Sequence, residues 1–134
     1  MLYVDSNGTI RLTRGDTAKL TVSINNEVTE SSYDISENDE LVLTVKKTVN
    51  DKTPCIQKKI VGSYIFVINP SDTESLAFGK YKYDVQLNKE NGEVYTIIEP
   101  TVFEIMQEVT YWCKISLFLI AKISFILSQS KYLV

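Results

Sequence analysis

The chain has no histidine in its 134 residues. That excludes a Ser-His-Asp triad, a Cys-His pair, a histidine-based zinc site and an imidazole base. Cysteine is scarce: Cys55 and Cys113 are the two thiols and form no CxxC pair, so neither a redox motif nor a zinc knuckle is supported. Both read as simple thiols, one in a loop and one near the tail; spacing alone does not derive a disulfide. No excess of basic residues exists either. Fourteen Lys and Arg face 17 Asp and Glu, for a net charge of −3, so no field favours DNA or RNA. An apolar leader is missing, because Met1-Leu2-Tyr3-Val4 runs at once into Asp5; the expectation is a chain that starts in a cytoplasm.

What is present is ordinary for a globular chain. With 44% hydrophobic and 23% charged residues it is neither collagen-like, disordered nor a disulfide-dense scaffold. The length suits one domain with a modest core. The charge is unevenly spread. Residues 1–110 hold 11 bases and all 17 acids, a charge of −6, whereas residues 111–134 carry only Lys114, Lys122 and Lys131. All five glycines and three prolines precede residue 101. The composition therefore places a boundary near Thr110, with a body at 1–110 and an apolar tail at 111–134.

The body patterns with period two. Leu20, Val22 and Ile24 alternate with Lys19, Thr21 and Ser23; Leu41, Leu43 and Val45 form a second apolar row. Tyr64 to Ile68 is apolar on both faces, as in a strand between layers. From Lys80 to Asn88, Tyr81, Tyr83, Val85 and Leu87 share one face while Lys80, Lys82, Asp84 and Gln86 share the other. Asn91-Gly92 then signals a hairpin with a type I′ turn. A two-residue loop would set Thr96 beside Leu87 and Ile98 beside Val85; a longer loop would put Tyr95 and Ile97 there, and the pattern leaves both open. Glu99-Pro100 reads as a break before a last strand at Val102, Phe103 and Ile105. Ser71-Asp72-Thr73-Glu74 fits a capping box for one short helical turn, pinned by Leu76 and Phe78 and closed by Gly79. The expectation is six to eight strands in an all-β, immunoglobulin-like antiparallel β-sandwich followed by a C-terminal apolar segment. The inward set is Leu12, Leu20, Val22, Ile24, Leu43, Val45, Phe66, Ile68, Leu76, Tyr81, Tyr83, Val85 and Leu87.

Several stretches invite a chemical reading. Arg14-Gly15-Asp16 spells a tripeptide that integrins read, but between two strands it is better explained as a turn. Asp34, Glu37, Asp39 and Glu40 could suggest calcium. An EF-hand loop starting at Asp34 would need glycine where Asp39 stands and a bidentate glutamate where Val45 stands. A solvated loop beside a sheet edge is the simpler reading. Tyr64, Tyr81, Tyr83, Tyr95 and Tyr111 could line a sugar-binding face, although tyrosines at alternate strand positions usually serve core and interface. Asp72, Asp84 and Glu93 could supply a glycosidase pair, but their spacing favours nothing beyond surface charge. No catalytic, metal or cofactor-binding residue is expected.

The tail is the least ordinary segment. Between Trp112 and Leu127 the charges are Lys114 and Lys122 alone. A bilayer span takes ~20 apolar residues, and this run is shorter and interrupted. It shows no clean amphipathic helical face, while Ile115, Leu117, Leu119, Ala121, Ile123, Phe125 and Leu127 align as one strand face. A segment buried in an oligomer, a weak membrane segment and an extension foreign to the domain all remain open. Burial against a partner subunit is preferred to the membrane, with Trp112, Ile115, Leu117, Phe118, Leu119 and Ile123 as the contact.

A family likeness adds to this. Ile10-Arg-Leu-Thr-Arg-Gly-Asp-Thr17 leads into Leu20-Thr-Val-Ser-Ile24, and Asp39-Glu-Leu-Val-Leu-Thr-Val-Lys46 follows. Then come Ile68-Asn-Pro-Ser-Asp-Thr73, Leu76 and Gly79-Lys-Tyr-Lys-Tyr-Asp-Val-Gln-Leu87. The series closes with Val94-Tyr-Thr-Ile-Ile98, Phe103-Glu-Ile105 and Glu108-Val-Thr110. In order and spacing these stretches, covering residues 9–110, resemble the N-terminal domain of baseplate upper proteins from phages and prophages of Gram-positive bacteria. The resemblance implies a non-enzymatic β-sandwich that docks other tail or baseplate proteins within a homo-oligomeric virion assembly, resident in the host cytoplasm while it is built. Neither a cofactor nor a nucleic-acid partner is expected, and a membrane partner is the less favoured reading. Such domains usually continue into a linker and further domains, whereas this sequence turns to the apolar tail. A second likeness, to the E–F corner of immunoglobulin-like domains, sets Tyr81 at the corner tyrosine and Tyr83 where the second cysteine would be. Its functional counterpart is a carbohydrate- or cell-surface-binding module.

Overall fold

The computed structural model describes residues 1–25 and 31–107 in full and residues 130–133 as backbone. Among the described residues the chain is all-β apart from one helical turn. In order it forms β1 (Leu2–Val4), β2 (Ile10–Thr13), β3 (Ala18–Val22), β4 (Glu40–Lys46), β5 (Ile56–Val61), β6 (Ile65–Ile68), α1 (Pro70–Thr73), β7 (Gly79–Asn88), β8 (Val94–Met106) and β9 (Ser130–Leu133). Six strands make one sheet in the order β1-β2-β8-β7-β4-β5, and β6-β3-β9 make a second. Eight strands thus fall in the body, the upper end of the expected range.

Both sheets are mixed, which corrects the antiparallel expectation. β2 runs parallel to β8 with Ile10 opposite Phe103 and Leu12 opposite Ile105, and β9 runs parallel to β3. The reason lies in apolar parity. β1 and β2 form an antiparallel pair whose Leu2, Ile10 and Leu12 need cover, and the far end of β8 offers Phe103 and Ile105 on the same face.

One core cluster joins residues of both sheets. Leu20, Val22, Phe66 and Ile68 of the smaller sheet meet Leu41, Leu43, Val45, Tyr81, Tyr83 and Val85 of the larger. Eleven of the 13 inward residues are fully buried, while Ile24 and Leu76 are partly buried against the cluster. The alternation of β7 is read correctly: its burial switches at each residue from Tyr81 to Leu87. The T-shaped stacking of Tyr83 on Phe103, centroids 6.1 Å apart, ties β7 to β8 at the centre.

The β7–β8 hairpin turns by the longer of the two loops. Lys89 N–H donates to the Glu93 carbonyl at 2.8 Å and Gly92 N–H to the Lys89 carbonyl at 2.9 Å. Three residues therefore cross the loop, and Gly92, at φ 93°, takes the left-handed bulge position instead of the second place of a type I′ pair. The pairing opens as Leu87 with Tyr95, the longer-loop register. A shift between Gln86 and Val85 then sets Val85 opposite Ile98, the short-loop register. A second irregularity absorbs Glu99 and Pro100 before Tyr83 meets Thr101. The expected strand break is thus corrected to bulges inside one 13-residue strand. The missing proline N–H is tolerated because the ladder skips a step there.

The helical turn starts two residues earlier than its sequence signature. Asn69 is the N-cap, and its N–H donates to the Asp72 carboxylate at 2.7 Å. Pro70 at the first helical position explains the shift, since its fixed φ suits N1 and its absent N–H costs nothing there. The turn closes at Glu74, so Gly79 does not cap it but opens β7.

Candidate functional site

The Arg14-Gly15-Asp16 turn is built into the fold. Gly15 is buried, and its N–H donates to Thr73 Oγ1 at 2.8 Å. Arg14 Nη1 reaches the Leu76 carbonyl at 3.3 Å, its guanidinium lies 4.1 Å from the Phe78 ring centre, and Asp16 pairs with the chain's amino terminus. The tripeptide fastens β2–β3 to α1 and offers no extended loop, in line with the turn reading.

The acidic stretch divides in two. Asp34 and Glu37 are exposed, whereas Asp39 is buried, which corrects the reading of the whole stretch as solvated. Asp39 Oδ2 accepts from the Tyr33 hydroxyl at 2.8 Å and from Ser36 N–H at 3.1 Å; Oδ1 accepts from Glu90 N–H at 3.0 Å. These donors hold the Asp39 carboxyl down at about 2, the Glu90 amide foremost and the Tyr33 hydroxyl next. The same bond to Asp39 is the main reason Tyr33 is pushed up to about 12. Nearby, Tyr64 hydroxyl donates to the Tyr33 carbonyl at 2.9 Å and accepts from Ile35 N–H at 2.6 Å. Asp39 thus pins the loop before β4 to the β7–β8 hairpin. An Asp two residues before an apolar alternation was the available signal, but it looks the same as a solvated acid. Among the described residues no His, Cys, Asp and Glu group has metal-holding geometry.

Gly62 closes against this loop. Its N–H donates to the Asp39 carbonyl at 2.9 Å, it sits at φ 62°, and an added Cβ would lie 3.0 Å from the Glu37 carbonyl oxygen. Gly62→Ala is expected to cost about 1–3 kcal/mol, since left-handed strain adds to a backbone clash. Urea denaturation measures it; an unchanged midpoint would mean the loop is not clamped there.

The tyrosines do not assemble one face. Tyr81 and Tyr83 are buried, Tyr64 is half-buried in the loop network, Tyr95 is exposed, and Tyr111 lies outside the described residues. Tyr81 hydroxyl donates to the Ala77 carbonyl at 2.8 Å, and Tyr83 hydroxyl donates to the Gly8 carbonyl. The three carboxylates are likewise dispersed. Asp72 on α1 pairs with Lys58 at 2.8 Å, Asp84 lies mid-β7, and Glu93 at the hairpin accepts from the Tyr95 hydroxyl at 2.6 Å. Cys55 is an exposed free thiol; Cys113 lies outside the described residues. So do Trp112, Ile115, Leu117, Phe118, Leu119 and Ile123, and with them the boundary near Thr110. Among the described residues no helix is long and apolar enough to cross a membrane.

The feature that sequence reading missed is a cavity of about 270 Å³ on the outer face of the larger sheet. Thr44 and Lys46 of β4, Gln57 of β5, and Lys82, Asp84 and Gln86 of β7 line it, with Lys52 and Pro54 from the β4–β5 connection. Each of these strand residues neighbours a buried one, so pleating gathers them, and Val49, Tyr83 of β7 and Pro100 of β8 complete the lining. Lys46 stands directly opposite Lys82, and Asp84 one step further opposite Thr44. Directly opposed like charges weaken a ladder. Burial pushes the Asp84 carboxyl up, and the Lys46 charge pulls it partway back. Three lysines and one carboxylate thus share the lining.

No family model, curated protein or solved structure matches the chain. The fold defines the class: an all-β protein whose described residues form two mixed sheets around one apolar core.

Proposed function

We propose that this chain is a structural protein of a phage or prophage tail or baseplate, acting by protein–protein docking in an oligomeric assembly. The observation that carries the reading is that each sheet ends in a strand with exposed apolar side chains. β1 presents Tyr3 at 50% exposure, and β6 presents Ile65 at 47% and Val67 at 39%. Terminal strands of this kind are templates for a neighbouring chain, and the other edge of the larger sheet, β5, adds Val61 at 59% beside Lys58 and Lys59. Of the stretches resembling baseplate upper proteins, those within the described residues lie on β2–β4, β6, α1, β7 and β8 around one core, and Glu108 to Thr110 lies outside the described residues.

The immunoglobulin-like reading belongs here too. The order β8-β7-β4-β5 follows the G-F-C-C′ sheet, β3 beside β6 follows B beside E, and the Tyr81–Ala77 bond is what a corner tyrosine makes. The role assigned is docking, with no catalytic step and no cofactor. The partners are other tail or baseplate proteins and further copies of the chain.

Light scattering tests it. The parent is expected above its monomer mass of 15.3 kDa, and Ile65→Lys with Val67→Lys should lower that mass while leaving the circular dichroism unchanged. A parent that remains monomeric, alone and with its neighbouring gene products, would overturn the proposal. Tail or tape-measure genes beside this one would support it.

A further inference from the structure

The larger sheet is electrically polarised along its strands. β4 pairs with β7 from Glu40–Asn88 at one end to Lys46–Lys82 at the other. At ~3.4 Å per residue the two ends lie roughly 20 Å apart. Beyond the first end, the Asp39 hub gathers exposed Asp34 and Glu37 with exposed Glu90 and Glu93 of the hairpin. Asn38 Nδ2 donates to Glu90 Oε1 at 3.2 Å, fixing that side chain on the tip. Lys89 is a cation at this end, 5.5 Å from the Tyr33 ring centre, and exposed Lys59 lies near it on β5, opposite Val42. At the second end stand the cavity lysines 46, 52 and 82, accompanied by Lys47 and Lys80. The acids there are Asp84 in the cavity lining, exposed Glu99 next to the lining residue Pro100, Asp51 bonded to Thr48, and Glu104 paired across from Lys80. Segregation of this kind survives in a chain that is acidic overall, so the basic end is a local excess against the net charge.

We propose that the lysine cavity is a carboxylate socket whose occupant is the acidic tip of a second copy of this chain, so that copies associate head to tail. The inference deepens the docking reading and rests on it for its setting. Three features fit. The cavity, about 270 Å³, lies just below the usual range for ligand sites and accommodates a side chain or two better than a cofactor. Gln57, Gln86 and Thr44 add hydrogen-bond donors around the ammonium groups, as carboxylate recognition requires. An incoming carboxylate also relieves the repulsion between opposed Lys46 and Lys82. Because socket and tip are different patches, the contact is heterologous and closes into a ring or extends as a filament.

Sedimentation velocity on the full chain tests this. Association is expected at ~0.01 M salt and should disperse at ~0.3 M, where screening is far shorter in range. Lys46→Glu with Lys82→Glu should weaken self-association about tenfold or more, and so should Glu37→Lys with Glu90→Lys. Mixing the two reversed proteins should restore association, because each then offers the end its partner needs; a symmetric face-to-face dimer would gain nothing from mixing. If the parent associates and neither reversal changes it, the socket is wrong while docking through other surfaces stands. If the parent is monomeric at every salt concentration, the socket and the homo-oligomer fall together. Weak uptake of acetate or phosphate without self-association would also overturn the proposal, leaving an adventitious ion only.

Discussion

Tyr83→Ala is expected to lower stability by about 3–5 kcal/mol, the range for emptying a fully buried aromatic site. Against a typical total of ~5–15 kcal/mol, that removes a large share of the stability margin. Tyr83 is 1% exposed and is among the largest fully buried side chains. It sits where β4, β8 and the β1–β2 turn converge on β7. It pairs with Val45 on β4 and Thr101 on β8, stacks edge-on against Phe103, and sends its hydroxyl to Gly8 in the β1–β2 turn. Truncation therefore removes both a core filler and the tie that holds the first hairpin.

The conservative variant separates these roles. Tyr83→Phe keeps the ring and is expected to cost about 1 kcal/mol, the net worth of one hydrogen bond. pH supplies a second readout. Burial, with the Asp5 charge adding to it, pushes the Tyr83 phenol up to about 12. A raised phenol favours the neutral form in the folded state. Its contribution is therefore complete below pH 10 and is lost as pH rises through about 12. Denaturant midpoints measured from pH 9 to pH 12 should fall less steeply for Tyr83→Phe than for the parent. Equal slopes would mean that the phenol is no better shielded folded than unfolded.

The core was legible in the sequence because pleating is a strict period of two. Once Tyr81, Tyr83, Val85 and Leu87 are aligned, their common face follows, and the structure buries all four. Strand adjacency was less legible. Nothing in Ile10-Arg-Leu-Thr13 announces that it lies parallel to β8, since that pairing depends on which distant apolar row still needs cover. The hairpin register eluded the pattern for a physical reason: bulges near Ile97 and Pro100 shift the ladder, so each candidate register holds over part of its length. Single polar residues were the least legible. Asp34 and Asp39 look alike as letters, yet one faces water and the other accepts three hydrogen bonds. The lysine cavity escaped notice because Lys46 and Lys82 become neighbours only through a pairing that joins residues distant in sequence.

Asp39→Asn should produce the largest change in acid behaviour. The carboxylate accepts from Glu90 N–H, Ser36 N–H and the Tyr33 hydroxyl, and an amide presents one accepting oxygen where the carboxylate presents two. At neutral pH the variant should be less stable, with faster hydrogen exchange at the Glu90 and Ser36 amides. The direction with pH follows from the depressed carboxyl. Its folded value is about 2 against an ordinary 3.8, so its contribution is present above pH 4 and disappears as pH falls through 2. The gap between parent and Asp39→Asn denaturation midpoints should therefore be widest near pH 6 and shrink toward zero by pH 2. Tyr33→Phe removes one of the three donors and should reproduce only part of that gap. A constant gap across the acid range would mean that packing, not charge, is what the substitution disturbs. The acidic tip would then be held by shape alone. In that case the tip should keep its geometry in acid, and only the exposed carboxylates at 34, 37, 90 and 93 would change charge.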